Sequence, residues 1–508
     1  MYGKIEHLSP EELPKVPAAI KGISPRFIRE HRIIPIEVGD SVVKVVLPDP
    51  PDRMTIDALN VAISQDLVVY VTDAEAVTAY IEKFYSQDLR DIDKIIEEID
   101  HPESESHIRE EEDVEHLMDL ASEAPIIKLV NTLIMKAIES RASDIHVEPF
   151  DDEVKVRYRI DGVLHQVESL PKKLQPAIVS RIKLTSRINI AERRLPQDGG
   201  MRIRAGDKEI DFRVSTIPVQ HGESIVVRIL DREGIKIDLD VLGFSAERLP
   251  DFKALIARPN GIVLVTGPTG SGKTTTLYAA LEKINSPDKK IITVEDPVEY
   301  QLKGINQIQV QPKIDLGFAN ILRHIVRQDP DVILIGEVRD LETAEIAVQS
   351  ALTGHMVFST LHTNDAPGAI TRLVDMGVES YLIATIVRGI LAQRLIRVIC
   401  PNCKVKEESR EVHAELALLG FDRGESFPVY QGAGCEHCSH TGFYGRAGIF
   451  ELLLVTDEIR KLILKNADSR EIRDVARQQG MKTLMEDGID KVRRGMTTVS
   501  EILRVTQE

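Results

Sequence analysis

The chain has 508 residues, 43% of them hydrophobic and 29% charged, with a formal net charge of −17 at pH 7. That length exceeds what one hydrophobic core sustains and predicts three or four domains, and the acidic balance disfavours a broad electrostatic grip on nucleic acid, so no nucleic-acid partner is expected. No run approaches the roughly 18 apolar residues of a membrane span, and the start, MYGKIEHLSPEEL, lacks the basic and apolar regions of a secretory signal, which predicts a cytosolic protein able to dock on a membrane partner.

Residues 1–88 mix short apolar runs (42–47 and 67–71) with candidate helices ending in AEAVTAYIEKFY, and read as a small α/β domain. Residues 91–113, the body of a linker over 89–117, carry eleven Asp and Glu against Lys94 and Arg109, and predict a solvated tether. Over 118–232 the pattern changes to an apolar helix (APIIKLVNTLIMKAIESRA), strand-like runs at 145–150, 154–160 and 163–167, a second helix at 177–190, and strand-like runs at 201–204, 209–216 and 224–230. Asp161-Gly162 between two of these runs predicts a hairpin. The segment reads as an α+β domain, joined by a connection over 233–243 to a nucleotide-binding domain over 244–508. There strands followed by helices predict a largely parallel sheet with ligand loops at its strand ends.

The sequence GPTGSGKT, residues 267–274, follows the apolar run IVLVT (262–266) and precedes a plausible helix, which is the context of a phosphate-binding loop. Gly267, Gly270 and Gly272 let the backbone bend until its N–H groups converge on phosphates, with Pro268, Thr269, Ser271 and Thr275 completing the cradle. Lys273 is expected to reach the terminal phosphates and the Thr274 hydroxyl to ligate Mg²⁺, which predicts binding of ATP or GTP.

Two further apolar runs end in carboxylates. IITVE (291–295) ends in Glu295 and is followed by Asp296 and Glu299, and DVILIG (331–336) is followed by Glu337, Arg339 and Asp340. A carboxylate at the end of a buried strand beside a phosphate loop can hold Mg²⁺ or orient the attacking water, and Glu337 is assigned to the metal and Glu299 to the water. Either alone could equally be a helix N-terminal acid. GHMVFSTLHTN (354–364) places His355 and His362 at the two ends of another strand, where one of them, His362 in preference, could contact the γ-phosphate.

All four cysteines fall in two CxxC pairs, Cys400 with Cys403 and Cys435 with Cys438. In a cytosolic chain this spacing predicts a tetrahedral structural Zn²⁺ site in preference to two disulfides, with an iron or redox site as the alternative. The metal would clip a loop with little core of its own, so that chelation is expected to destabilise mainly 396–450.

Taken together, RASDIHVEP (141–149), RYRIDGVL (157–164), LPQDGG (195–200), GPTGSGKTTT, ITVEDPVEY (292–300), RQDPDVILIGEVRDLETAEIA (327–347) and TGHMVFSTLHTNDA (353–366) resemble the secretion ATPases of the type II secretion and type IV pilus family. The resemblance covers about 110–508. It implies a RecA-like P-loop ATPase domain with a Cys₄ zinc subdomain (396–450), preceded by a PAS-like α+β domain and a small N-terminal α/β domain. It also implies an aspartate box holding Glu295 and Glu299, a Walker B segment holding Glu337, and a histidine box holding His355 and His362. Further implied are a homo-hexamer that uses ATP, Mg²⁺ and Zn²⁺, and arginines from the preceding domain and a neighbouring subunit at the site. Their matching positions are Arg213, Arg228, Arg323, Arg327, Arg339 and Arg446.

The family commonly has Arg after QDG where this chain has Gly200. One module before an acidic tether is more similar to the E-type ATPase of type II secretion than to the pilus-extension motor. That implies a cytoplasmic protein held at the inner membrane, its N-terminal domain on a bitopic protein and its ring on a polytopic one. Pilus extension stands as the alternative to secretion, and a DNA-translocating hexamer and a nucleotide-gated scaffold remain open as readings from other classes.

Overall fold

The computed structural model describes residues 114–205, 208–230, 238–407 and 427–507 without interruption, and residues 6–85 in part together with Ile92 and Ile95. The acidic stretch 96–113, residues 231–237 with the first part of the expected connection, and residues 408–426 lie outside the described residues. The chain divides into two compact units, Met1–Arg159 with Leu164–Leu230, and Ile160–Val163 with Asp231–Glu508.

The described residues of the first unit form two sheets. In the smaller one, β1 (Glu6–His7), β2 (Ile34–Val38), β3 (Val42–Pro48) and β4 (Asp66–Thr72) stand in the order β1-β4-β3-β2, next to a helix at Ala74–Tyr85. Buried Ile34, Val43, Val45, Val46 and Val77 supply its core. The larger sheet has the order β7-β6-β5-β10-β9-β8, built from β5 (Ala142–Pro149), β6 (Glu153–Ile160), β7 (Val163–Pro171), β8 (Gln197–Ala205), β9 (Lys208–Val219) and β10 (Gly222–Leu230). Asp161 and Gly162 take φ of 48° and 88° between β6 and β7, the two left-handed residues that a tight hairpin matched to strand twist requires.

Several boundaries differ from the sequence expectation, and one contact accounts for two of them. The helix expected over 177–190 runs Gln175–Thr185, and β8 begins at Gln197 rather than 201. Arg187 turns at φ 59°, and the Ser186 carbonyl accepts from the Gly200 N–H at 3.1 Å. A Cβ on Gly199 would lie 2.5 Å from that same carbonyl, so the turn-like QDGG is extended strand because only glycine lets the two segments approach.

The second unit is a seven-stranded sheet of order β13-β12-β14-β15-β11-β16-β19. Its members are β11 (Gly261–Thr266), β12 (Ile291–Glu295), β13 (Asn306–Gln309), β14 (Val332–Ile335), β15 (Met356–Leu361), β16 (Val387–Ile399) and β19 (Phe443–Leu454). All neighbours run parallel except β19, which is antiparallel to β16. β11, β12, β14 and β15 are buried along their whole length, as expected for strands covered on both faces by helices. A small ribbon of β17 (Lys404–Glu407) and β18 (Val429–Gly432) is inserted between β16 and β19. Four closing helices, Asp457–Leu464, Ser469–Gln478, Leu484–Arg493 and Val499–Thr506, are capped by the Thr456, Asp468, Thr483 and Thr498 side chains, which satisfy N–H groups of their first turns.

Among the described residues no helix is long and apolar enough to cross a membrane.

Candidate active site and cysteine cluster

The phosphate loop leaves the C-terminal end of β11, the sheet position flanked by β15 on one side and β16 on the other. Gly267, Gly270 and Gly272 all have positive φ, 150°, 78° and 86°. Space adds to conformation at two of them. A Cβ on Gly267 would sit 2.5 Å from the Gln393 carbonyl oxygen, and one on Gly272 would sit 2.9 Å from Gln393 Nε2.

Gly272 caps the helix Lys273–Ile284, whose first-turn N–H groups give the loop an anion-binding end. Lys273 Nζ donates to the Gly267 and Pro268 carbonyls at 2.7 and 3.0 Å, closing the loop on itself. Burial lowers the Lys273 ammonium to about 8, opposed by Glu337 and reinforced by Arg394. The Ser271 hydroxyl is buried without a hydrogen-bond partner, and Thr274 is exposed at the helix start.

Glu337 follows β14 after Gly336, and its side chain is mostly buried. It pairs with Arg339, and His362 Nε2 lies 3.5 Å from its other oxygen. Because β14, β15 and β11 are consecutive and parallel, the ends carrying Glu337, His362 and the phosphate loop open on one edge of the sheet. Thr266 Oγ1 fastens β11 to the histidine loop, accepting from the Thr363 N–H at 2.8 Å and lying 2.8 Å from Thr363 Oγ1. Glu337 and Thr274 are the groups that would hold Mg²⁺, since both are oxygen donors suited to a hard cation.

The two histidines part company here. His355 precedes β15, and its Nδ1 is satisfied by the Ser350 carbonyl at 2.8 Å and the Thr353 hydroxyl at 3.1 Å. The six residues of β15, at about 3.3 Å each, put it roughly 20 Å from His362, at the opposite edge of the sheet, so it does not join this site in its own chain.

Glu295 is likewise turned inward. It is 4% exposed and bonded by the Tyr278 and Thr293 hydroxyls and by Gln307 Nε2 at 3.2 Å. All three donors are neutral and the carboxylate has no free oxygen, so Glu295 ties β12 to the phosphate-loop helix through Tyr278 rather than facing the loop. Burial and this carboxylate together push the Tyr278 phenol far above its usual range. Glu299, four residues on, is exposed.

The arginines fall in two groups. Arg213 and Arg228 belong to the first unit, where Gly200, Arg213, Arg228 and Asp144 stand opposite one another in one row across β8, β9, β10 and β5. Arg228 Nε donates to Asp144 at 2.9 Å. An arginine at 200 would have stood beside Arg213, and glycine leaves that end of the row empty. In the second unit Arg323 pairs with Glu342, Arg327 donates to the Arg323 carbonyl at 2.7 Å, and Arg446 is exposed on β19.

Sequence reading missed Gln393 and Arg394. Both are buried on β16, inside the run ILAQRLI, and a polar pair within such an apolar run was the available signal.

Behind the histidine loop lies Glu451, 2% exposed, whose Oε1 accepts from the Ala366 N–H at 2.8 Å. Burial raises this carboxyl from 4.5 to about 7, helped by Asp365 and opposed by the N–H bond and Arg473. The folded protein therefore holds a proton that the unfolded chain has released between these values, and stability should fall as pH rises through that window and level off above it. Glu451→Gln keeps the acceptor and needs no proton. It should remove this slope and stabilise the protein at pH 8 by up to about 3 kcal/mol. Equal changes in melting temperature between pH 5 and 8 for variant and parent would refute this.

The four cysteine sulfurs lie within 4.8 Å of one another, with Cys400–Cys435, Cys403–Cys438 and Cys435–Cys438 separations of 3.8, 3.9 and 3.7 Å. A tetrahedron of thiolates about 2.3 Å from Zn²⁺ requires sulfurs about 3.8 Å apart, so the donor set and spacing fit that ion with no position left for water.

Comparison with known proteins identifies the family. Residues 119–504 match the family described as type II/IV secretion system protein, and residues 4–91 match the MshEN domain. The chain is 50% identical over 500 residues to the type II secretion system protein E of Xanthomonas campestris, covering 98% of this chain and 86% of that one. It is 42% identical over 489 residues to the type IV pilus assembly ATPase PilB of Myxococcus xanthus, covering 96% and 86%. Among solved structures, the pilus retraction motor PilT with bound ADP is similar at 28% identity and a TM-score of 0.50, covering 74% of this chain and 96% of that chain. The resemblance carried by the motifs is thus borne out, and the chain belongs to the type II/IV secretion system protein family.

Proposed function

We propose that the chain is the ATP-hydrolysing motor of a type II protein secretion system, working as a hexamer on the cytoplasmic face of the inner membrane to drive pseudopilus assembly. The observation that carries this is the meeting of Lys273, Glu337 and His362 at one sheet edge, in a chain half identical over nearly its whole length to a type II secretion protein E. In this reading Lys273, the loop N–H groups and the Ser271 hydroxyl bind the β- and γ-phosphates. Glu337 and Thr274 hold Mg²⁺, which neutralises developing charge, Glu299 orients water, and His362 reports the γ-phosphate.

Arg213 and Arg228 from the preceding domain, and Arg323, Arg327 and Arg446 from a neighbouring subunit, complete the site. An arginine supplied in this way is worth about 10³ to 10⁵ in rate, so turnover per subunit should rise with protein concentration. The N-terminal domain (1–88) docks a bitopic inner-membrane protein, the ring engages a polytopic one, and rotation about 233–243 is the power stroke.

Lys273→Ala tests the loop assignment. It should lower turnover by about 10² to 10³ or more, as loss of a positioned charge at a transferring phosphoryl does. Turnover at the parent rate, measured by phosphate release, would sink it.

Pilus extension is the second reading, favoured by the 42% identity to PilB. A pull-down with the full chain from detergent-solubilised inner membrane separates the two, since capture of the bitopic secretion component supports the first and capture of pilus-assembly proteins the second.

A further inference from the structure

We propose that Gln393 is the positioning residue that holds the phosphate loop in its nucleotide-ready shape, an inference that rests on the ATPase reading above. β16 runs parallel to β11, and Ala392 is the partner of Thr266, the last residue of β11. Gln393 therefore lies one step beyond the end of β11, beside the loop rather than beside a strand.

A buried primary amide in an apolar strand is costly unless both of its ends are bonded, and at 2% exposure Gln393 has both. Nε2 donates to the Ser271 carbonyl at 2.8 Å, and Oε1 accepts from the buried Thr276 hydroxyl at 2.7 Å. One partner is in the loop and the other in the first turn of the helix after it. The amide thus clamps the two across Gly272, the left-handed residue at their junction.

Backbone and neighbours add to the clamp. The Gln393 carbonyl occupies the space a Cβ on Gly267 would need, and the Leu395 side chain lies 3.3 Å from the Cβ position of Gly272. That same carbonyl accepts from Arg394 Nη1 at 3.2 Å, while Arg394 Nη2 donates to the Asn364 carbonyl at 3.0 Å, in the loop that carries His362. A side chain serving only the core would not send both of its hydrogen bonds to the phosphate loop and its helix.

Preorganisation acts on binding. Without the clamp the loop must be ordered by the nucleotide, and affinity falls. Once phosphate is bound its contacts hold the loop, and the chemical step is little changed. Three variants of the full chain separate the contributions. Gln393→Met keeps length and loses both bonds, Gln393→Glu keeps the acceptor for Thr276 but loses the donor to Ser271, and Thr276→Val loses only the helix-side bond.

The measurements are KM and kcat for MgATP, equilibrium binding of a fluorescent ADP analogue with Mg²⁺, and melting temperature. Both Gln393 variants should weaken analogue binding and raise KM by about tenfold or more, with kcat within about threefold, and Thr276→Val should have a smaller effect. Unchanged affinity in both Gln393 variants, a fall in kcat at constant KM, or failure of both to fold overturns the proposal. If the parent itself does not bind the analogue, the ATPase reading falls first, so the two failures are distinguishable.

Discussion

Glu337→Gln should bind MgATP or its analogue yet hydrolyse it about 10²- to 10⁴-fold more slowly, the range lost when a positioned acid–base or metal-holding carboxylate is neutralised. The side chain is close to isosteric, and its neighbours bear the change easily. Arg339 is 70% exposed and can turn to water, and His362 is about half exposed. A partly exposed ion pair of this kind contributes little to folding, so the melting temperature should stay near that of the parent. Loss of turnover with binding retained would also exclude a scaffold that gates on nucleotide without hydrolysing it. Turnover within a few-fold of the parent would remove Glu337 from the chemistry and leave Glu299 as the candidate carboxylate.

Replacing Cys403 and Cys438 by serine, or stripping the metal with a chelator, should unfold the tip of the β16–β19 ribbon while leaving the sheet intact. Structural zinc in small peptides contributes about 10 to 16 kcal/mol at pH 7, far more than the little apolar surface here could replace. Of the described tip residues, only Cys400, Val429, Cys438 and Gly442 are buried.

The affected segment is narrower than the 396–450 expected from sequence. Residues 396 and 397 pair with 447 and 446, and Ile399 with Phe443, all within the seven-stranded sheet, and Ile396, Ile399 and Ile449 are nearly inaccessible. Hydrogen exchange should therefore show protection lost over 400–407 and 427–442 and kept over 387–399 and 443–454. Metal analysis should return one zinc per chain, released on acidification as the thiolates protonate. Uniform loss of protection across β16 and β19 would show that the metal supports the whole sheet, and a chain without zinc would return the cluster to its iron or redox alternative.

Some features were legible in the sequence because the chemistry that makes them is local. Asp161-Gly162 codes its own turn through two residues that tolerate left-handed backbone, and 267–274 codes its loop through three glycines and a Lys-Thr pair that no ordinary turn combines. The buried strands announce themselves as apolar runs of four to six residues, and their terminal acids mark the edge of the sheet.

What failed did so where a partner distant in the chain decides the outcome. Glu295 and Glu337 look alike as acids at the ends of apolar strands. One is sealed by Tyr278, Thr293 and Gln307, however, and the other stays open beside Arg339 and His362. His355 and His362 share a strand, but its length sends them to opposite edges.

The sequence by itself determined the nucleotide chemistry, the two cysteine pairs and the alternation of strands and helices, because each rests on side chains close together in the chain or on a repeating pattern. Only the tertiary structure decided which carboxylate faces the loop, the row from Gly200 through Arg213 and Arg228 to Asp144, and the clamp of Gln393 on Ser271 and Thr276. Those contacts join residues up to 122 positions apart, and sheet order and register, not local propensity, bring them together.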